Sequence, residues 1–480
     1  MRRNGILHLF SIFLLALALA GCRESVNRDQ TVRYNPLKEY AAQKDSTYRY
    51  ELHEVVRGKG YKTHVLRMVS GQWLSKQEVR DPEWWHWLYI VVPDSLEHAT
   101  AMLFIGGGNR NKQEPGDADK LITLLARKTK SVAMYLHNVP NQPIDFVNDD
   151  EGGRVEDHLI AFCWRQFLEG DAKKADVEWL PRLPMTRAAV RAMDTAQAYL
   201  KRKLAFQLDH FVVAGGSKRG WTTWTTAIAD ERVIAIAPIV IDVLNLVPSF
   251  QHHWRAYGHW SSAVDDYVNE GIMEWMGSEE FDRLLQMVDP YSYRDMLTLP
   301  KMLINAADDE FFVSDSWQFY WSDLVGEKHI RYVPNTGHSL DGTDAGETLI
   351  AFFNSIVTNT PRPKFDWKVQ NSEILIETDP ALPPQEVKLW SAVNKKARDF
   401  RFNVVGKVWT SKTVPISPDG KYRLKVQAPP EGWKAFMGEL TFKGPAGTPF
   451  KMTTGVVVVP DKLPYPPYQS QTPKGTRIKR

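Results

Sequence analysis

A serine within Gly215-Gly216-Ser217-Lys218-Arg219-Gly220, an aspartate pair at Asp308-Asp309 and a histidine in Asn335-Thr336-Gly337-His338 follow one another along the chain. A serine hydroxyl becomes a nucleophile when a base takes its proton, and the base needs a carboxylate to orient its ring and stabilise its cation. Ser217, His338 and Asp309 are the residues for those three roles. Small residues around Ser217 suit a sharp strand-to-helix turn that lifts one side chain above a sheet. The turn departs from G-x-S-x-G, because Arg219 takes the place of the second glycine and Gly220 comes one position later. Read blandly, it is a glycine-rich corner with an incidental serine. Either aspartate would also cap a helix beginning at Phe311, and His338 would serve as a surface loop residue.

Attack on a carbonyl also needs donors for the developing oxyanion. The backbone N–H of Lys218 is one, and Gly107 or Gly108, in Gly106-Gly107-Gly108-Asn109 after an apolar run, supplies the other. That loop resembles an HGGG-type donor loop with Ile105 in place of its leading His. The spacing at Gly108-Asn109-Arg110 is not G-x-G-x-x-G, so a dinucleotide site is disfavoured. Lys218 and Arg219 stand beside the nucleophile as cations for an anionic substrate group, or else as a salt-bridged loop pair. Arg219, Asn109, Trp221 and His252 are candidate substrate contacts. His252-His253 and His259 are a weak metal signal, since adjacent histidines on a helix point apart. No metal or organic cofactor is expected.

These residues need a scaffold that places strand ends side by side. Between Tyr48 and Pro93 apolar and polar residues alternate, as in two or three antiparallel strands. Short apolar runs at Ala99 to Ile105, Ser131 to Leu136, His210 to Ala214, Val233 to Ile241, Lys301 to Asn305 and Ile330 to Val333 read as buried strands. Helical patterns intervene at Asp117 to Lys128, Val155 to Leu168, Thr186 to Leu204, after Ser217 through Ala229, and at Glu347 to Val357. The alternation implies an α/β fold with a mostly parallel sheet and helices on both faces. The expected domain runs over 36–362, with an aromatic-rich helical cap inserted at about 244–296. Residues 363–461, with short alternating runs and turn signals, read as a separate all-β, sandwich-like domain. The proline-rich basic tail, 462–480, is expected to be loosely ordered.

The chain has 480 residues, 43% of them hydrophobic, and a net charge of +3, which is globular material with no call for nucleic acid. Residues 1–22 read as an export signal: Arg2 and Arg3, an apolar run from Ile6 to Ala20, then Leu19-Ala20-Gly21-Cys22, which resembles a bacterial lipobox. Cys22 is then the lipid attachment point, 23–35 a tether, and the protein is placed on the periplasmic face of the inner or outer membrane. Cys163 remains as a lone, small core residue, which excludes an intrachain disulfide and a cysteine-based zinc site.

The chain as a whole resembles the PhoPQ-activated pathogenicity-related protein family, which is α/β-hydrolase-like. The resemblance rests on Gly216-Ser217-Lys218-Arg219-Gly220-Trp221-Thr222-Thr223-Trp224, Leu183-Pro184-Met185-Thr186, Asp309-Glu310-Phe311-Phe312, Asn335-Thr336-Gly337-His338 and Arg398-Asp399-Phe400-Arg401, and extends from Leu37 to Pro460. It implies an α/β-hydrolase fold and a Ser217, Asp309, His338 triad. Asp309 is preferred to Asp308 because hydrolase acids fall a few residues past the strand end. The turn is also similar to the S-R-x-G turn of glucuronoyl esterases, with Lys218 in place of the Arg, which suggests a sugar-acid ester. The expectation is therefore a lipid-anchored serine hydrolase of esters or amides acting on a small-molecule, sugar or peptide substrate. The alternative is a non-catalytic binding or signalling lipoprotein on the same scaffold.

Overall fold

In the computed structural model the alternating stretches near the N-terminus form three antiparallel strands, β1 (Arg49–Gly58), β2 (Tyr61–Gln72) and β3 (Glu83–Pro93). The structure describes residues 34–478 apart from 113, 114 and 117, so the expected signal segment and Cys22 lie outside the described residues. The uniformly apolar runs become β4 (His98–Ile105), β5 (Ser131–Leu136), β6 (His210–Gly216), β7 (Val233–Ile239), β8 (Lys301–Ala306) and β9 (Lys328–Val333). All nine join one sheet in the order β1-β2-β3-β5-β4-β6-β7-β8-β9, parallel from β5 onward.

A parallel sheet is buried on both faces, and side chains alternate between them. Leu103, Val213 and Leu303 enter the core on one face, while Met102, Val212 and Met302 enter a second core on the other. Helices α1 (Pro36–Ala42), α3 (Glu156–Glu169), α4 (Arg182–Leu204) and α5 (Lys218–Ala229) contribute to the first core; α2 (Lys120–Thr129) and α9 (Ala345–Val357) contribute to the second. Between β7 and β8 lie α6 (Leu246–Tyr257), α7 (Asp265–Asn269) and α8 (Glu279–Val288), with short 3-10 turns. This is the α/β-hydrolase fold. Helix α4 starts at Arg182, earlier than the Thr186 read from sequence. Pro184 falls in the first turn, where a missing N–H leaves no bond unmade.

Two antiparallel sheets follow, β10-β11-β14 (Phe365–Gln370, Glu373–Thr378, Lys421–Leu424) and β13-β12-β15-β16 (Thr410–Thr413, Glu386–Asn394, Trp433–Lys443, Pro449–Thr453), with β17 (Val457–Val459) on β15. They face each other closely enough that a Cβ at Gly438 would lie 2.6 Å from Leu424 Cδ1. The tail, expected to be loosely ordered, is pinned to the helical insertion: the Thr476 N–H donates to Glu280 (2.8 Å) and the Tyr468 N–H to Gln251 (2.9 Å).

The turn at Ser217 shows why small residues are needed there. A Cβ at Gly220 would fall 2.8 Å from the Ile239 carbonyl oxygen and 2.9 Å from that of Gly215, backbone atoms that cannot move aside. At Gly216 the nearest atom would be Val240 Cγ2 at 3.9 Å, an ordinary contact. Gly220→Ala is therefore expected to cost about 1–3 kcal/mol in urea unfolding, and Gly216→Ala much less; equal midpoints for the two variants would contradict this packing.

Candidate active site

Ser217 leaves β6 at φ 58°, ψ −126°, a conformation that side chains other than glycine rarely adopt, and α5 begins at the next residue. Such a residue costs about 1–3 kcal/mol and persists only where its surroundings hold it. Its own N–H donates to the Ile239 carbonyl (2.8 Å), and its carbonyl accepts from the Trp221 N–H (3.0 Å).

His338 follows β9, and Asp309 follows β8. The His338 Nδ1 lies 2.9 and 3.0 Å from the two Asp309 oxygens, which makes Nδ1 the protonated nitrogen. Asp309 also accepts from the Phe311 N–H (2.8 Å) across a bend; no helix begins at Phe311, so the capping role expected from the sequence is not seen. Asp308 has a different task. Its carboxylate takes the Trp409 indole N–H and the Asn335 N–H (2.9 Å), and burial, outweighing those bonds, pushes it up to about 7. The Glu310 carboxylate accepts from the His338 N–H (2.7 Å).

The His338 Nε2 is buried and has no hydrogen-bond partner among the described residues. The Ser217 to His338 hydrogen bond expected from the sequence is thus not formed here. The Phe311 ring packs 4.3 Å from the imidazole, centroid to centroid, beside a cavity that Ser217 lines. That cavity is small, about 40 Å³, or roughly three waters by the usual 10–15 Å³ for one. Trp164, Trp221, Phe250, Phe311 and Phe312 line it together with aliphatic side chains such as Ile241 and Val243, and Asp157, Arg182, Lys218 and Tyr267 are its polar walls beside Ser217.

The two cations after Ser217 are already engaged. Lys218 Nζ lies 2.8 Å from Glu156 and 2.9 Å from Asp157, and Arg219 holds Glu156 through both terminal nitrogens (2.7 and 2.5 Å) and donates Nε–H to the Val139 carbonyl. Burial would raise the Glu156 pKa, but Arg219 and Lys218 overcome it and hold the carboxylate at about 2. The Arg219 guanidinium lies against the glycine loop, where a Cβ at Gly107 would come within 2.7 Å of it.

The sequence model of the PhoPQ-activated pathogenicity-related protein family matches residues 37–401. The chain belongs to this family. Autocrine proliferation repressor protein A of Dictyostelium discoideum is 36% identical over 457 residues, covering 90% of this chain and 91% of that protein. Among solved structures, the acetyl xylan esterase from Paenibacillus sp. R4 aligns with a TM-score of 0.48 at 14% identity, over 67% of this chain and 92% of its own. The glucuronoyl esterase from Solibacter usitatus aligns with a TM-score of 0.39 at 13% identity, over 65% and 86%.

In this PhoPQ-related chain the remaining candidate residues fall into two groups. Trp221 lines the cavity and donates its indole N–H to the Val288 carbonyl (2.6 Å). Gly107, Gly108 and Asn109 are not among the cavity walls; Asn109 accepts from the Asn111 N–H within its own loop (2.8 Å). His252 is buried against Asp315 (2.7 Å), which also binds Arg398, so it braces the helical insertion. Among the described residues Glu151, His158 and Glu270 stand close enough to share a metal ion, but Arg154 Nη1, 2.6 Å from both His158 and Glu270, supplies positive charge there. Sequence reading missed Glu156, Asp157, Arg182 and Trp409, which no motif marks.

Burial lowers the His338 pKa, but attraction and hydrogen bonding from Asp309 more than reverse this, so it stands above its ordinary 6.5. The folded state then gains from the imidazolium form below pH 6.5 and loses that gain as pH rises through the raised value. Asp309→Asn removes the main raising influence and leaves burial and Lys218 to lower it against the weaker pull of Asp157. The His338 resonance in NMR is expected to titrate above 6.5 in the wild type and below 6.5 in D309N; an unchanged midpoint would break the assignment.

Proposed function

We propose that this protein is a lipid-anchored serine hydrolase, acting outside the inner membrane on an ester or amide. Ser217 attacks the carbonyl carbon as His338 Nε2 takes the hydroxyl proton, and the imidazolium later gives that proton to the leaving group. Asp309 holds Nδ1–H and stabilises the cation, while the Lys218 and Gly107 or Gly108 amides receive the oxyanion. One observation carries this reading: the Asp309-bound imidazole keeps a buried Nε2 with no partner among the described residues, on a fold whose strained turn presents Ser217. A buried acceptor left unpaired costs about 1–3 kcal/mol, and a site that must accept a proton is where such a cost is tolerated. The likeness of the Ser217 turn to that of glucuronoyl esterases suggests a sugar-acid ester as one substrate class, with peptidase action as its rival.

A second reading, a non-catalytic binding lipoprotein, is favoured by the narrowness of the cavity beside Ser217 and by the missing Ser217 to His338 bond. The name of the Dictyostelium relative also speaks of repression rather than hydrolysis.

The test is covalent labelling of the purified full-length protein in detergent by a fluorophosphonate probe. Labelling is expected in the wild type and lost in Ser217→Ala and His338→Ala, and hydrolysis of any ester found is expected to fall about 10⁴-fold or more. An unlabelled wild type, or labelling that survives in S217A, would favour the binding protein.

A further inference from the structure

Three cations surround Ser217, and the two nearest in sequence are neutralised. Lys218 and Arg219 share the carboxylates of Glu156 and Asp157. The third, Arg182, is 2% exposed and takes part in no ion pair among the described residues. Its hydrogen bonds all leave from Nη1, to the Lys218 carbonyl (2.6 Å), the Thr222 hydroxyl (3.3 Å) and the Met185 sulfur (3.8 Å). The guanidinium carbon stands 4.9 Å from the Trp221 ring. Arg182 is one wall of the small cavity that Ser217 also lines.

A buried cation is normally paired, because taking a charge out of water costs far more than any single neutral contact returns. Lysine or histidine would shed its proton instead. Arg182 does not, since burial lowers its pKa only to about 10 and leaves it charged at neutral pH. Asp157 is the acid that faces it, yet Asp157 already holds Lys218 (2.9 Å) and accepts from the Tyr267 hydroxyl (3.0 Å), while Arg219 adds repulsion. The guanidinium therefore lacks a counter-ion at a cavity with room for three or four non-hydrogen atoms, about the size of a carboxylate group. Aromatic walls exclude water and strengthen any ion pair made there.

We propose that this cavity is a carboxylate subsite anchored by Arg182, and that the substrate carries a free carboxylate close to its scissile bond. The second half of that statement rests on the hydrolase reading; the binding itself does not. The pair would be charge-assisted and, through the guanidinium fork, directional. Its recognition feature is missing from the Ser217 turn, since Arg182 lies in the first turn of α4, far away in sequence.

The experiment compares acetate with acetamide, which has the same shape without the charge, on the purified full-length protein. Protection of Ser217 from fluorophosphonate is read for each, together with the shift in melting temperature at constant ionic strength. Acetate is expected to protect at least about tenfold better than acetamide in the wild type, and the ratio to fall toward one in Arg182→Met. A wild-type ratio near one, or a ratio that persists in R182M, would overturn the proposal. Were the wild type not labelled at all, the hydrolase reading would fail alone, and the melting shifts, acetate-specific in the wild type and absent in R182M, would still decide the subsite. Should R182M not fold, a wild-type crystal structure grown in acetate decides it: a carboxylate on the Arg182 guanidinium supports the subsite, and an acetate-free cavity refutes it.

Discussion

Ser217 cannot relax out of its φ 58° turn, because the strand before it and the helix after it are locked into different layers of the fold. The same constraint recurs at the ends of the neighbouring strands. Gly108 beyond β4, Asn138 beyond β5, Val240 beyond β7 and Asn335 beyond β9 all have positive φ. Val240 is the most telling, since a β-branched side chain tolerates that region poorly. Backbone strain is thus gathered at one edge of the sheet, where the candidate residues converge. The large double-sided core beneath it supplies the rigidity that holds the strain in place.

Charge is handled at that edge by pairing across elements. Glu156, itself at φ 53° at the start of α3, joins Lys218 and Arg219 of α5, and through Arg219 it braces the glycine loop after β4. Removing Glu156, which is itself partly exposed, would leave the two mostly buried cations Lys218 and Arg219 with less compensation, and that costs more than the intact set contributes. The C-terminal region has a comparable role. Trp409 binds Asp308 with its indole and Asn335 with its backbone, so one residue ties together the loops that carry Asp309 and His338. Arg398, on the same segment, holds Asp315. The geometry of the acid and base loops therefore depends on a part of the chain outside the α/β sheet.

Much of this was legible in the sequence, and the reason is locality. Alternation over Tyr61 to Arg67, apolar runs such as Met302-Leu303-Ile304, and glycines about Ser217 are statements about neighbouring residues, and the strands and the turn lie where those patterns put them. The choice of Asp309 over Asp308 rested in the sequence only on distance past the strand end. It is made by Trp409, a long-range partner that takes one carboxylate and leaves the other to His338. Lys218 and Arg219 read equally as substrate cations or as a salt-bridged pair; the structure shows the second, and Glu156 and Asp157, far upstream, carry no motif that would have named the partners. His252 looked like a cap contact for want of any sign of Asp315. Arg182 carries no motif and lies ahead of Thr186, where the helical pattern was read to begin.

The cavity sets a limit on what this edge of the sheet can enclose. Pockets that hold whole ligands measure about 300–1,000 Å³, and about 40 Å³ lies beside Ser217. A bound molecule larger than a few atoms must therefore extend past the aromatic walls. Those walls come from the loop after β8 (Phe311, Phe312), from α3 and α5 (Trp164, Trp221) and from the insertion between β7 and β8 (Phe250). The core elements are anchored by packing on both sides. The insertion shares the first core through Ile272, Phe281 and Leu284, and its outer side is fastened to the tail by polar contacts at Gln251, Glu274 and Glu280 and by the Tyr468 ring against Trp254 and Trp260. The C-terminal segment thus holds α6 and α8 from outside, and bears on the site without lining the cavity.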